Sequence, residues 1–441
     1  MTIRKVTNRS STIAVTSTEV SDDANTSTGA LDVPAGTTAQ RPGSPTSGNL
    51  RFNTDIGVLE NYDGTAWLKV SAIVPVLSSV TGTILVDGFT NTLTLSGSGF
   101  LTNNLSVKFT PSGGSATSVV VTPASDTSAT VSTPSAIYNL SAGTVVGVSV
   151  VNSDAQESGT INKTTVAMPT GGTITTSGNY RIHQFNSSSN FVTSTALSNV
   201  EYLIIAGGAA GGGTNATYGG GGGGAGGYRS SVVGQVSGGG ASAESRMTLS
   251  AATYAVEVGA AAAAGTGRVS GNQSSFNSIV STGGGGGGAA ANQAGLSGGS
   301  GGGGSYVGGA GGAGTSGQGY AGKANAGSGT GGGGGGASET PTGGTSGGDG
   351  GDGASSNITG TAVVRAGGGG GGDRASQGAN TYGIGGAGGG GNGASDHNTS
   401  NATAGAANTG SGGGGASHED RANANGGSGV VIIRYDVTAI A

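Results

Sequence analysis

The sequence contains no cysteine, and charged and aromatic residues make up only 9% and 4% of its 441 residues. Without cysteine, the chain can form neither disulfides nor thiolate metal sites. No apolar run approaches the roughly 18 residues that a membrane-spanning helix needs. The basic start of the chain is not followed by an apolar stretch, so we expect no secretory signal. The net charge of −5 and the lack of a basic cluster argue against nucleic-acid binding.

The chain contains an excess of glycine. Of its 441 residues 100 are glycine, whereas an ordinary chain contains roughly 7% glycine. Glycine offers little apolar surface, so a conventional core is excluded for the glycine-rich part. Such a composition without a period usually indicates disorder. The composition shifts along the chain predict four parts, with boundaries at 1–40, 41–73, 74–168 and 169–441.

The first part, residues 1–40, is rich in threonine and serine and has too few apolar residues for a core of its own. We expect an arm that attaches to other proteins or forms part of a trimer, because a lone extended segment does not stabilise itself. A loosely ordered tail is the alternative interpretation.

The second part, residues 41–73, contains three short β-prone runs at 50–53, 58–62 and 65–70, separated by Asp-x-Gly and Asp-Gly turns. The pattern RPGSPTSGNLRFN, followed by YDGTAW, resembles a module that recurs in tail-fibre and virion proteins of tailed bacteriophages. In this small meander we expect Trp67, the only tryptophan, to be a structural anchor in the core or on a trimer axis.

The third part, residues 74–168, has the turn spacing of a small β-sandwich. Its strand candidates are residues 93–96, 106–110, 117–122, 129–132 and 144–152. The early proline-containing stretch PVLSSV, the GSGF turn and the closing run VVGVSVVN resemble immunoglobulin-like domains of the IPT/TIG type. That resemblance implies a fold but says little about function.

The fourth part, residues 169–441, opens with a predicted hairpin whose turn is 177–179 and then repeats a motif in which an apolar strand enters a glycine run. Residues 200–208, 276–283 and 361–367 are copies of this motif. The closing strand, 430–435, is predicted to pair beside 200–205. The longest glycine runs are residues 219–224, 283–288, 331–336 and 367–372.

Glycine runs can form ordered structure as polyproline-II-type helices, which have three residues per turn and a rise of about 3.1 Å per residue. Without Cβ atoms, such helices pack closely, and their backbone groups can bond to neighbouring helices. Several runs of similar length, joined by polar connectors, therefore predict a stack of polyglycine-II helices. The fourth part resembles the glycine-rich domains of tailed-phage receptor-binding adhesins, and the framing VEYLIIAGG … GGSGVVIIRY carries the likeness. The predicted fold class is all-β with polyglycine-II helices.

Sequence patterns for chemistry are weak. The stretch GQGYAGKA approaches a phosphate loop but lacks the Ser or Thr after lysine that would hold magnesium. The three histidines have no metal-like spacing, and Asp349, Asp352 and Asn357 are better read as a turn than as a calcium site. We expect no cofactor, no metal and no enzymatic activity; a depolymerase, which would need a placed carboxylate pair, ranks last.

Larger side chains in connectors between glycine runs are the candidates for recognition, because tyrosine gives a large contact area at low entropic cost. The candidate receptor-binding residues are Tyr218, Tyr306, Tyr320, Arg374, Tyr382 and His397, with Tyr228 and Arg421 as further candidates. The alternative is that each tyrosine caps the end of the glycine stack. The long connectors 305–323, 373–382 and 392–411 hold most of these residues, and we expect at least two of these connectors at one exposed end, opposite the third part.

The sequence is consistent with two functions. The resemblances imply a virion tail-fibre protein that attaches to a glycan or outer-membrane protein of the host and to other virion proteins through its N-terminal arm. The alternative is a purely structural virion component, such as a capsid fibre, whisker or fibre connector.

The first prediction concerns assembly. Residues 1–70 bury too little surface to be stable alone, so we expect the full chain to be a homotrimer in solution. Mass measurement by sedimentation or light scattering tests this, and a stable monomer with a folded N-terminal region would contradict it.

Overall fold

The computed structural model describes residues 33–70, 73–86, 88, 90–101, 104–153, 155–213, 219–325, 329–342, 348–373, 382–396, 400–417 and 422–440. Most of the predicted N-terminal arm lies outside these residues. The described elements are almost all strands, which confirms the all-β prediction; the exceptions are a short α-helix, Ser135–Tyr138, and the 3-10 helices Thr38–Gln40, Gly238–Gly240 and Val437–Ala439. The chain forms two compact units, residues 1–73 and 74–441.

The first unit contains a four-stranded sheet in chain order, in which only the first pair is parallel. Its strands are β1 (Ala35–Gly36), β2 (Leu50–Asn53), β3 (Val58–Tyr62) and β4 (Trp67–Lys69). A buried carboxylate, Glu60, lies at its centre and accepts hydrogen bonds from Arg41 and Asn53. The bond from Arg41 holds the pKa of Glu60 below its usual value. This unit is therefore organised around a polar cluster.

The second unit begins with two sheets that enclose one apolar core. The strands are β5 (Val76–Thr81), β6 (Ile84–Leu85), β7 (Thr92–Ser98), β8 (Leu105–Pro111), β9 (Thr117–Val121), β10 (Ser128–Ser132), β11 (Val145–Val151) and β12 (Ile161–Val166). One sheet has the order β10-β7-β5 and the other β6-β12-β11-β8-β9. All five strand candidates of this region are confirmed. The alternating side chains of both sheets meet in one cluster that includes Leu93, Phe109 and Val148.

Close packing explains why the GSGF turn contains two glycines. A Cβ at Gly97 would overlap Val76 O and the ring of Phe100, and Phe100 itself is almost completely buried. Gly99 follows with φ +70°, a region that glycine enters at no steric cost. The two glycines therefore let the Phe100 ring fold back into the sandwich core.

The remaining strands frame the glycine-rich part. They are β13 (Thr173–Ser177), β14 (Tyr180–Phe185), β15 (Ser189–Thr193), β16 (Leu197–Ile205), β17 (Tyr228–Ser230), β18 (Met247–Leu249), β19 (Ala252–Glu257), β20 (Ser274–Phe276), β21 (Ile279–Ser281), β22 (Ala354–Ser356), β23 (Val363–Arg365) and β24 (Val430–Asp436). The main sheet has the order β13-β14-β24-β16-β17, with β18 also paired to β16. The predicted pairing of 200–205 with 430–435 is confirmed, from Glu201 opposite Arg434 to Ile205 opposite Val430.

One strand prediction was wrong. Residues 276–283 do not form a single strand; β20 and β21 form a hairpin instead, with Phe276 opposite Ile279. The turn residues Asn277 and Ser278 both have positive φ, and such a pair is typical of the tight turns that join antiparallel strands.

The main sheet has two buried faces. Tyr202, Ile204 and Ile433 face a core that also contains Leu85 of the sandwich. Leu203 and its neighbours on the opposite face pack on alanines at the ends of glycine-rich segments. One face of the main sheet therefore packs on the sheet β15-β19-β20-β21 and on Leu85 of the sandwich, and the other face packs on the glycine-rich stack.

A buried histidine stabilises the first of these cores. The ring of His183 is fully buried, with Nδ1 2.8 Å from Gly171 O and Nε2 3.1 Å from the Tyr435 hydroxyl. Phe191 packs edge-on against it with ring centroids 5.0 Å apart. Burial lowers the pKa of His183 from 6.5 to about 4.

The second prediction follows from this shift. The unfolded chain binds a proton at His183 below pH 6.5, whereas the folded chain does so only below about 4. Stability should therefore be fully present above pH 6.5 and fall towards pH 4, with a loss of about 2 kcal/mol between pH 7.5 and pH 5. Urea unfolding at these two pH values measures it. His183→Gln, which does not titrate, should lose that part of the pH dependence; an unchanged dependence would contradict the assignment.

Candidate functional site

The glycine-rich stack is organised around residues 219–227, here called the central segment. Its successive N–H groups donate in rotation to residues 410–417, then 282–289, then 330–337, and the rotation repeats every three residues. The bonds, each of 2.7–3.1 Å, are Gly220 to Ala416, Gly221 to Gly288, Gly222 to Gly332, Gly223 to Gly413, Gly224 to Gly285, Ala225 to Gly335 and Gly226 to Gly410. A repeat of three is what a helix with three residues per turn produces.

The central segment has six neighbours. Besides donating to three segments, it accepts bonds from three others, at 206–213, 300–304 and 366–373. Residues 206–213 show the same rotation, donating in turn to 219–227, 268–273 and 422–429. Donor and acceptor neighbours alternate around the central segment, so the stack is a hexagonal lattice of hydrogen-bonded backbones. The side-by-side packing predicted for the four long glycine runs is confirmed.

The lattice explains why the inner runs are pure glycine. A Cβ at Gly221, Gly222 or Gly223 would overlap the carbonyl oxygen of a different neighbouring segment. All three faces of the helix are therefore closed to side chains. These residues are fully buried although they contribute no side chain.

Outer segments follow a different rule, Gly-x-Gly. In 309–313, Gly309 and Gly312 are buried, whereas Ala310 and Ala313 are exposed. Residues 383–387 repeat the pattern, with two buried glycines and Ile384 and Ala387 exposed. A Cβ at Gly311 would overlap Gly322 O, and one at Gly385 would overlap Gly390 O, so only one position per turn of these outer segments is open to a side chain.

Side-chain oxygens satisfy backbone donors at the edges of the lattice. Asp349 Oδ1 accepts from the N–H of Ile384, and Asp352 Oδ1 accepts from that of Ala387, both at 2.7 Å. The two aspartates therefore have a structural role, in an extended segment of the lattice and not in the predicted turn. Among the described residues, no group of three or more His, Asp or Glu side chains could hold a metal ion. In the described part of the chain, no helix has the length and apolar character needed to cross a membrane.

The stack has two distinguishable ends. At the sheet end, Ala206 follows β16 directly and donates to Gly227 O, just before β17. At the other end, here called the distal end, Gly212 donates to Gly221 O. Four connectors are flanked by segments that reach the distal end: 214–218, 374–381, 397–399 and 418–421. The backbone bonds that link the ends of these segments are Gly372 to Gly220, Gly383 to Gly371, Ala394 to Gly415 and Ala416 to Gly212.

The predicted recognition residues divide between the two ends. Tyr306 lies at the distal end, where its N–H donates to Gly219 O, and Tyr382 immediately precedes Gly383 at the same end. Tyr320 lies at the sheet end, where it donates to Gly336 O and its hydroxyl faces Gly240. Four further predicted residues, Tyr218, Arg374, His397 and Arg421, lie outside the described residues.

Two other aromatic residues, Tyr228 and Trp67, pack against other parts of the protein. Tyr228 is the first residue of β17 and is fully buried on the face of the main sheet that meets the stack, and burial raises the pKa of its hydroxyl to about 12, so the inclusion of Tyr228 among the recognition residues was wrong. Trp67 is half-buried in the first unit, 5.5 Å from the Tyr62 ring and with the Arg51 guanidinium 5.9 Å above it.

The predicted connectors were too long. Residues 305–323 are not one connector: 309–314 and 319–323 are lattice segments, joined by a turn at the sheet end. Residues 392–411 likewise include a segment, 402–406, that crosses the stack. The signal that could have found them is the three-residue glycine period, which a search for unbroken glycine runs misses.

A family comparison agrees with this architecture. The sequence profile of a family described as a glycine-rich domain matches residues 184–436, which is more than half of the chain. The chain belongs to this glycine-rich domain family. No curated protein matches the sequence. The matched region of the glycine-rich domain begins within β14 and ends at the last residue of β24, so it includes the framing strands together with the lattice.

The third prediction tests the lattice of the glycine-rich domain. Gly222→Ala places a methyl group against Gly369 O, and we expect it to lower the free energy of unfolding by about 1–3 kcal/mol. Gly265→Ala is the matched control, because nothing lies within 4 Å of its Cβ position. That variant should be neutral or stabilised by up to about 1 kcal/mol. Chemical unfolding of the two variants measures the difference, and equal stabilities would contradict close packing.

Proposed function

We propose that this protein is a fibre protein of a bacteriophage virion whose glycine-rich domain binds the surface of the host cell. The observation that carries the proposal is that the lattice and the connectors have separate roles within the stack. Backbone bonds hold the lattice together, so connectors at the distal end are free to vary without disturbing it. That end is opposite the main sheet, which packs against the sandwich.

The lattice segments are, in this proposal, polyglycine-II helices. Two observations support the assignment: the rotation of hydrogen bonds every three residues, and the absence of positive φ from the four long glycine runs. A bundle in which every interior backbone group is bonded to another segment is a rigid support. Rigid support lowers the entropic cost of presenting binding loops.

The surface of the first unit supports an oligomeric fibre. Its sheet buries Arg51 and Asn53 on one face, whereas Leu50, Phe52 and Leu68 are 40%, 37% and 48% exposed. Apolar side chains that are exposed among the described residues of this unit favour association with further chains. We propose that this unit and the preceding arm form the attachment region of a homotrimer.

The fourth prediction tests host binding at the distal end. Tyr306→Ala and Tyr382→Ala together should reduce binding to host cells by about tenfold or more, the effect of losing 1.4 kcal/mol of binding free energy. Tyr320→Ala removes the same side chain at the sheet end and should leave binding unchanged. Adsorption of the labelled protein to host cells measures this, with thermal unfolding of each variant as the folding control.

Replacement of connectors 374–381 and 397–399 extends the test to the remaining candidates. The control is replacement of the exposed turn 112–116 in the sandwich. Loss of binding only after the connector replacements supports a receptor-binding domain. Unchanged adsorption in every folded variant would instead favour a purely structural virion component.

A further inference from the structure

A vacant place in the hexagonal lattice lies beside residues 282–289. Residues 282–289 have five backbone neighbours: they bond with 206–213, 219–227, 268–273, 293–299 and 300–304. The central segment shows that a fully surrounded helix has six neighbours, with donors and acceptors alternating. By that order, the missing neighbour of 282–289 belongs between 268–273 and 293–299, and it would accept hydrogen bonds.

The backbone N–H groups of residues 282–289 that face this place differ in whether they have an acceptor. The N–H of Ala289 is taken by Gln293 Oε1 at 2.8 Å, and that of Gly286 by Ser270 Oγ at 3.4 Å. Arg268 bridges the two flanking segments towards the distal end by donating to Ala294 O. Gly283 is the exception: it is buried, and its N–H donates to no described residue. This N–H is therefore a backbone donor left over at the vacant place.

A groove occupies this vacant place. It has a volume of about 640 Å³, opens to solvent, and is lined by Gly283, Gly271 and Ser297 of the three surrounding segments. At the sheet end it is bounded by Ser188 and the exposed carboxylate of Glu257. The groove is therefore a continuation of the lattice and contains an unused backbone donor.

We propose that this groove is a docking site for an extended, glycine-containing segment of a partner protein. The segment takes the sixth place around residues 282–289 and accepts the hydrogen bond of Gly283. Glycine suits the face of the segment that meets the lattice, because a Cβ at most buried glycines of this stack would overlap a neighbouring carbonyl oxygen. A lysine or arginine on its outer face suits the Glu257 carboxylate. This proposal is independent of host binding, which involves the distal end.

A second copy of the stack does not fit the groove. The described outer segments turn side chains outwards once per turn, as at Ala310, Ala313, Ile384 and Ala387. These side chains keep another lattice at a distance greater than helix packing allows. The occupant is therefore a chain that brings its own glycine face, added in the same way as a strand is added to a sheet edge.

The test uses the full-length protein labelled with ¹⁵N and titrated with the capped hexapeptide Gly-Gly-Lys-Gly-Gly-Lys. We expect saturable amide shifts at Gly283 and Gly271, with half-saturation in roughly the millimolar range. The same peptide with valine at every glycine should cause no shift. Asn272→Trp, which fills the groove, should abolish the response, whereas Ser316→Trp, on an exposed turn outside it, should not.

Two outcomes would overturn the proposal. One is the absence of any saturable shift at Gly283 in the folded protein at millimolar peptide. The other is a response that the valine peptide or a neutral oligosaccharide reproduces, or that appears with protein concentration alone, since these identify a different occupant. Thermal unfolding shows that both tryptophan variants are folded. Loss of host adsorption in the tyrosine variants leaves this result unaffected.

Discussion

The structure depends on the need to satisfy the N–H and C=O groups of buried backbone that has no internal hydrogen bonds. In a helix with three residues per turn, each of these groups points away from the helix axis. They can be satisfied only if other helices lie close on every side. The six neighbours of residues 219–227 meet this requirement, and the spacing it imposes leaves no room for a Cβ atom at the glycines of this segment. Glycine composition, burial and lattice order are therefore consequences of one constraint.

The same constraint sets the limits of the lattice. Inner segments have neighbours on all faces and consist of glycine with a few alanines and serines, whereas outer segments admit an exposed side chain at one position per turn. At the edges, side-chain oxygens such as those of Asp349 and Asp352 replace the missing backbone acceptors. The main sheet ends the stack on one side, where Ala225 and Ala366 pack beneath it. A conventional apolar core and a backbone lattice are thus joined within one unit of the chain.

Strands were predicted well because their patterns are local. Runs 50–53 and 58–62 match β2 and β3, and the partnership of 200–205 with 430–435 followed from two apolar runs that enclose one region. The hairpin at Asn277 and Ser278 was missed because an apolar count does not detect a pair of residues with positive φ. The trimer, the immunoglobulin-like identity of the sandwich and the virion function stay predictions.

The sequence by itself determined that the chain is all-β, that its glycine runs pack side by side, and that apolar strands frame them. These properties follow from local alternation and from the absence of side chains, which any segment carries irrespective of its neighbours. Only the tertiary structure decided which segments are interior, which end of the stack each tyrosine occupies, and where the lattice lacks a neighbour. Tyr306 and Tyr320 are only 14 residues apart in the sequence, yet they lie at opposite ends. The reason is that chain reversals, and not composition, assign each segment its direction and its place in the lattice.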